Sequence, residues 1–148
     1  MVAHPDPHAA SVALDLGDVR YISSVLPWRS CGTPFVGSTL AQKMTETLDA
    51  VRPYVDERTV WGGDWNQALE GREHVGSLLG RLQIAQLVDA ARLSVPTRSL
   101  GSASPGQRSI DHIAVPMEWD VHTALRVPAQ GRGGRLSDHD AYVISVDV

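Results

Sequence analysis

The order in which short apolar segments and longer amphipathic ones follow each other constrains the fold of this chain most strongly. Two apolar segments joined by Gly17-Asp18 predict a β-hairpin near the start. A helical segment, a short strand, a second helical segment and further strands follow. This order favours an α+β domain with a mixed or antiparallel β-sheet and flanking helices. The predicted strands are 11–16, 19–26, 59–62, 109–115, 121–127 and 141–148, and the second helix is predicted at about 72–86.

Local signals define where the helices begin and end. Thr39 and Gln42 have the spacing of a capping box, so the first helix is expected to open at Thr39. Pro53 is expected to end or kink it near Arg52, since proline lacks the amide hydrogen that a helix interior needs. The apolar stripe of this helix is Leu40, Met44, Leu48, Val51 and Val55, and the second helix is expected to gather Val75, Leu78, Leu79 and Leu82 on one side.

The size and composition of the chain fit one soluble domain. Its 148 residues suit a single domain, 1–148, with residues 1–10 expected as a loose tail. Apolar residues make up 43% and charged residues 20%, so a packed core is expected and disorder is not. The net charge of −4 argues against a strong non-specific nucleic-acid binder, although Arg126, Arg132 and Arg135 offer a local basic patch.

The single cysteine, Cys31, excludes an internal disulfide and favours a reducing compartment. The N-terminus shows no secretory signal pattern, and no stretch approaches the roughly 20 apolar residues that a membrane span needs. A cytoplasmic protein without membrane contact is therefore expected.

Three polar motifs lie at or within predicted strands. The first is Gly-Asp-Trp-Asn at 63–66, where a carboxylate and an amide two residues apart can converge on one ligand. The second is Ser-Ile-Asp-His-Ile-Ala-Val at 109–115, whose Asp111 is costly to bury unless it is paired. The third is Leu-Ser-Asp-His at 136–139. Taken singly, they are more simply a turn, a solvent-facing aspartate and a polar strand start.

Taken together and in this order, the three motifs resemble the endonuclease/exonuclease/phosphatase superfamily, whose members include deoxyribonuclease-like nucleases, apurinic endonucleases and sphingomyelinases. The segment 24–28 also resembles the strand that precedes the first long helix of that family. The resemblance covers the chain from about Ser11 onward. It implies a four-layer α/β/β/α sandwich, here partial because the N-terminal strands have no counterpart, and a metal-dependent phosphoester hydrolase such as a phosphodiesterase or nuclease.

The resemblance also implies a role for each motif residue. Asp64 would orient or deprotonate the attacking water, and Asn66 would hold a phosphoryl oxygen. Asp111 would pair with His139, which would stabilise the transition state or transfer a proton. Asp138 would bind the metal, for which Mg²⁺ fits best, with Mn²⁺ as an alternative. The residues are expected to converge in one cleft.

Two departures from the family pattern predict a weakened site. Val25 stands where the family usually has a histidine, and the family's early metal-binding glutamate has no counterpart. The domain is therefore expected to be incomplete and poorly active alone. We expect it either to self-associate or to pair with a missing N-terminal half. A non-catalytic binding module that keeps the fold is the alternative, and a metal-free structural domain is the third.

The substrate stays open among DNA, RNA, lipid and small phosphoesters. Trp28 and Trp65 flank the predicted site and would either stack on a ring or pack in the core. Loop arginines, including Arg98 and those of the turn at 131–135, would either contact phosphate or remain solvated.

Overall fold

The computed structural model describes residues 1–71 and 75–147. Its main element is a mixed six-stranded sheet, in which β3 and β4 are parallel and the other neighbours are antiparallel. The strand order is β1-β2-β3-β4-β6-β5, and β7 with β10 and β8 with β9 form two further antiparallel pairs. The strands are β1 Val2–Ala3, β2 Ser11–Leu16, β3 Val19–Val25, β4 Thr59–Asp64, β5 Leu93–Ser94, β6 Asp111–Pro116, β7 Asp120–Val127, β8 Gln130–Gly131, β9 Gly134–Arg135 and β10 Ala141–Asp147. The helices are α1 Leu40–Val51 and α2 Leu78–Ala90.

The parallel pairing of β3 and β4 creates the edge at which the polar motifs meet. Helix α1 connects these two strands, so both end at the same side of the sheet. Val25 is opposite Asp64 in the β3–β4 pairing, and Asp64 is opposite Asp111, the first residue of β6. We call this side, marked by Val25, Asp64 and Asp111, the carboxyl edge.

Helix α1 forms as its signals predict. The Thr39 side chain accepts a hydrogen bond from the Gln42 amide at 3.2 Å, which confirms the N-cap. The helix ends at Val51, and a short 3-10 turn, Arg52–Tyr54, contains Pro53. Both helices pack on one face of the six-stranded sheet. The buried core there comprises Ala13, Ile22, Leu26, Met44, Leu48, Val51, Trp61, Trp65, Ile84, Leu87, Ala91, Leu93, Val95 and Ala114.

Helix α2 differs from its prediction in start and rotation. Within the described residues it begins at Leu78, after the N-cap Ser77; 72–74 lie outside them. The expected apolar side is exposed, with Leu78 at 75% and Leu82 at 51%, whereas Ile84 and Leu87 are buried. The start and rotation of α2 follow from a contact with Gln67, which precedes the helix in the chain. The buried Gln67 carbonyl Oε1 accepts from the Ser77 amide at 2.8 Å and so fixes the first turn.

The N-terminal residues are not a loose tail. Strand β1 pairs with β2, and the His4 amide donates to the Ala13 carbonyl at 3.1 Å. The His4 imidazole lies 2.9 Å from Asp15, which also pairs with Arg20. The β1–β2 pairing and the contact between His4 and Asp15 therefore attach a proline-rich segment that carries no strand pattern of its own.

The two-stranded sheet of β7 and β10 contacts the six-stranded sheet through β6. None of the described residues of β7 and β10 is buried, and apolar side chains such as Leu125, Val127 and Val143 are 40–47% exposed. The predicted final strand is observed up to Asp147, and Val148 lies outside the described residues. No described helix is long and apolar enough to cross a membrane.

Candidate active site

The Gly-Asp-Trp-Asn motif forms a tight turn at the end of β4. Gly63 has φ 136°, and a Cβ there would lie 2.0 Å from the Ser24 carbonyl oxygen, so only glycine fits this close approach to β3. Asn66 has φ 51°, a region that asparagine tolerates. Its amide donates to Asp64 Oδ1 at 2.9 Å, and its Nδ2 donates to the Leu26 carbonyl at 2.9 Å. The turn thereby fixes Asp64 at the carboxyl edge.

Asp111 and His139 form the predicted pair. The His139 Nδ1 lies 2.9 Å from both carboxylate oxygens of Asp111, which confirms that contact. Because an ionised carboxylate only accepts hydrogen bonds, Nδ1 carries the shared hydrogen and Nε2 remains for another partner. The Ser109 hydroxyl accepts from the Asp111 amide and donates to its carbonyl, which holds the start of β6.

The pKa values in the site shift in the directions expected for a half-buried acidic cluster. Burial raises the pKa of Asp64, and the neighbouring Asp111 charge adds to this although the Asn66 amide opposes it. Burial also raises the pKa of Asp111 against the opposing contact with His139. For His139, burial lowers the pKa, but the hydrogen bond to Asp111 and the charges of Asp111, Asp64 and Asp138 outweigh it, so the pKa lies above its ordinary value. The cluster therefore favours protons and cations.

Three of the predicted residues bring atoms that could bind a metal ion close together. Oxygen or nitrogen atoms of Asp64, Asp111 and His139 all lie within 4.8 Å of one another. Asn66 joins them through its hydrogen bond to Asp64. Asp138, the predicted metal ligand, is exposed and lines the adjoining cleft of about 120 Å³ with Asp111 and His139, but it is not in the three-residue cluster. The structure thus brings four predicted residues together and leaves Asp138 beside them.

Val25, which stands where the family usually has a histidine, lies at this edge. Val25 is paired with Asp64 in register, so its side chain is on the same face of the sheet, and it is 41% exposed. Valine offers neither a hydrogen bond nor a proton at this point.

The two flanking tryptophans have different surroundings. Trp65 is fully buried, with ring centroids 4.3 Å from Trp61 and 5.3 Å from His112, so it belongs to the core. Trp28 is 42% exposed. Trp65 is therefore unable to stack on a substrate, and only Trp28 remains open.

Most of the basic side chains considered for phosphate contact are already paired. Asp140, which no sequence motif singles out, is buried and lies 2.8 Å from Arg135 and 3.4 Å from Arg126. The Ala129 amide and these arginines lower the pKa of Asp140. Arg98 pairs with Glu70 at 2.9 Å. Asp140 is adjacent to His139 in the motif at 136–139, but nothing in the sequence distinguishes it from an exposed loop acid.

Sequence comparisons give no relative: no family model matches the chain, and no curated protein matches it either. Solved structures do match. An AP endonuclease from Archaeoglobus fulgidus is 16% identical with a TM-score of 0.68, and the match covers 100% of this chain and 70% of that one. A 3′ phosphatase, NExo, from Neisseria, solved with a product DNA hairpin, is 17% identical with a TM-score of 0.66 over 97% and 66% of the two chains.

The endonuclease domain of TRAS1, a telomere-specific non-LTR retrotransposon, is 13% identical with a TM-score of 0.55 over 92% of this chain and 60% of that domain. The chain therefore spans about two thirds of the length of these structures. All three are members of one superfamily. The mixed sheet, the two helices on one of its faces and the further two-stranded sheet give this chain the α/β sandwich fold of these structures.

Proposed function

We propose that the chain is a metal-dependent phosphoester hydrolase whose reaction takes place at the carboxyl edge. The observation that carries the proposal is the convergence of Asp64, Asp111 and His139 within 4.8 Å, at the mouth of a fold shared with phosphoester-cleaving proteins. Two carboxylates and one imidazole at a half-buried point are a costly arrangement for stability alone, and such clusters mark functional sites.

Each side chain has a role that its contacts support. Asp64 accepts a proton from a water molecule as the water oxygen bonds to phosphorus and the ester P–O bond breaks. Asp111 holds His139 through Nδ1, so a protonated Nε2 donates towards a phosphoryl oxygen or the departing oxygen. Asn66 uses one amide hydrogen on the Leu26 carbonyl, which leaves the second for a phosphoryl oxygen.

The donor set fits a hard divalent cation. Carboxylate oxygens are preferred ligands of Mg²⁺ and Mn²⁺, and the net negative charge of the cluster favours a cation. Asp64 is in the cluster, and Asp138 lies at the adjoining cleft as a further ligand. Bound there, the cation would polarise a phosphoryl oxygen and stabilise developing negative charge.

We further propose that this site is weak unless a partner completes it. Val25 supplies no donor, and the described residues of β7 and β10 are unburied. Such a sheet invites further strands, either from a missing N-terminal half or from a second copy.

The free, buried Cys31 is compatible with a reducing cytoplasm. The second candidate is a non-catalytic module that binds phosphoesters, and Val25 is the observation that favours it.

Hydrolysis of bis-p-nitrophenyl phosphate by the purified chain, with Mg²⁺ or Mn²⁺ and with EDTA, tests the proposal. We expect slow, metal-dependent hydrolysis that Asp64→Asn and His139→Gln each reduce by about a hundredfold or more. Asp49→Asn, at an exposed position of α1, is the matched control and should leave the rate unchanged. Hydrolysis that persists in EDTA or in Asp64→Asn would reject the assigned site. Metal binding without any hydrolysis would favour the non-catalytic module.

A further inference from the structure

Trp28 is an exposed aromatic side chain on a loop that the proposed reaction does not use. Of the four tryptophans, Trp61 and Trp65 are fully buried and Trp119 is half-buried, whereas Trp28 is 42% exposed. The loop after β3 therefore presents part of an indole ring to solvent.

The neighbouring rings hold Trp28 edge-on and leave ring surface open. The Phe35 ring is buried and meets Trp28 at 78° with centroids 5.7 Å apart. On its other side, Phe35 stacks with His8 at 5.3 Å. The Cys31 amide donates to the Trp28 carbonyl at 3.2 Å, and Lys43 of α1 donates to the Cys31 carbonyl. The loop is thus fixed before any ligand arrives, which reduces the entropy cost of binding.

The loop that carries this ring begins beside the candidate site. Leu26 follows β3 directly, its carbonyl accepts from Asn66 at 2.9 Å, and its amide donates to the Asp64 carbonyl at 2.8 Å. Trp28 is two residues further on, and two residues span at most about 7 Å. The Trp28 backbone therefore lies within about 7 Å of Leu26, the residue whose main chain is hydrogen-bonded to both Asp64 and Asn66.

A positively charged residue follows Trp28 directly in the chain. Arg29 is exposed, and it forms no ion pair with any residue in 1–71 or 75–147. Arg98, Arg126 and Arg135, in contrast, are each paired with a carboxylate. An aromatic face followed at once by an available guanidinium fits a base and the phosphate attached to it.

We propose that Trp28 and Arg29 form a nucleotide subsite, in which a base stacks on the indole and its phosphate contacts the guanidinium. This rests on the proposed function, because the subsite aligns the next phosphate with Asp64. It names the substrate class as a short single-stranded nucleic acid or nucleotide phosphodiester rather than an aliphatic or lipid phosphoester. The net charge of −4 agrees with recognition through one stacked base rather than through a broad basic face.

Binding without catalysis separates this subsite from the hydrolysis. Fluorescence anisotropy in EDTA measures the affinity of the 148-residue chain for fluorescein-labelled tetrathymidylate and for a tetramer of abasic sites with the same phosphates. We expect tighter binding of tetrathymidylate, a loss of about tenfold or more in Trp28→Ala, and near-normal affinity in Trp28→Phe. The abasic tetramer should bind equally to the chain and to Trp28→Ala. Arg29→Ala should weaken both ligands and reduce the salt dependence of binding.

Trp119→Ala is the matched control, since Trp119 is in the turn between β6 and β7 at the opposite end of the sheet. Equal affinity for the two ligands, no binding of tetrathymidylate, or an unchanged affinity in Trp28→Ala would each overturn the subsite. If Trp28→Ala is shown by circular dichroism to be unfolded, Trp28→Gln and Trp28→Phe make the same comparison. Hydrolysis of bis-p-nitrophenyl phosphate is measured separately, so loss of one proposal does not imply loss of the other.

Discussion

Replacing Gly63 with alanine tests whether β3 and β4 approach each other as closely as the site requires. A Cβ at this position would lie 2.0 Å from the Ser24 carbonyl oxygen, far inside an ordinary contact distance of about 3.5 Å. The backbone also has φ 136°, which an alanine adopts only with strain. The variant must therefore separate the two strands or change the turn that carries Asp64.

The expected loss of stability follows from the strained φ and from the overlap with the Ser24 carbonyl oxygen. A residue held in a region of φ reserved for glycine costs about 1–3 kcal/mol. Relieving the overlap by moving packed strands costs about 1–3 kcal/mol more. The total of about 2–6 kcal/mol is a large part of the 5–15 kcal/mol typical of a domain. At about 3 °C per kcal/mol for a chain of this size, it corresponds to a fall in Tm of about 6–18 °C.

Thermal and urea unfolding, followed by tryptophan fluorescence and circular dichroism, measure the effect. Two glycines provide matched controls. At Gly62 a Cβ would lie 3.5 Å from the His112 carbonyl, so Gly62→Ala should stay within about 1 kcal/mol of the original. At Gly17, φ is 63° but no atom lies within 4 Å, so Gly17→Ala should cost only about 1–2 kcal/mol. If Gly63→Ala is as stable as Gly62→Ala, the close pairing that positions Asp64 is wrong.

Three further predictions concern the site and its support. Burial lowers the pKa of His112 from 6.5 to about 4, so the stability contributed by its neutral form is fully present above pH 6.5 and is lost as the pH falls towards 4. The free energy of unfolding in urea should therefore fall less between pH 7 and pH 5 in His112→Gln than in the original chain. Equal losses in the two chains would refute this. Burial and the Asp111 charge raise the pKa of Asp64, so the stability that its protonated form contributes is lost as the pH rises through that pKa. Asp64→Asn should remove activity and raise the free energy of unfolding at pH 8, and a destabilised variant would contradict this. Val25→His should raise the hydrolysis rate about tenfold or more, whereas Val12→His on β2 should not; equal rates would show that position 25 does not reach the substrate.

The sequence predicted the parts of the fold that depend on local chemistry. The cap at Thr39, the end of α1 before Pro53 and the hairpin at Gly17 all follow from the conformations that these residues favour. Alternation along β6 also separates Asp111, at the site, from His112, in the core. The meeting of Asp111 with His139 was available only from the resemblance, since it joins residues far apart in the chain.

The features that the sequence did not predict depend on contacts between distant segments. Gln67 fixes the start of α2 and so decides that Leu82, rather than Ile84, is exposed. Asp140 is buried because the Ala129 amide and two arginines surround it, and each of these partners is ordinary for a surface loop. Periodicity within one segment carries no information about such partners.

The two halves of the candidate site are held by different forces. Asp64 is the last residue of β4 and Asp111 is the first residue of β6. The opposite face of both strands packs in the core, and this packing fixes the two aspartates. His139 precedes β10, a strand without a buried residue, and its position depends on the ion pairs of neighbouring Asp140 and on the Tyr142 hydroxyl, which donates to the Gly101 carbonyl at 3.0 Å. Polar contacts on a poorly buried sheet open more readily than a packed core. A polypeptide that covered β7 and β10 would therefore restrict His139 most, and through it the geometry of the whole cluster.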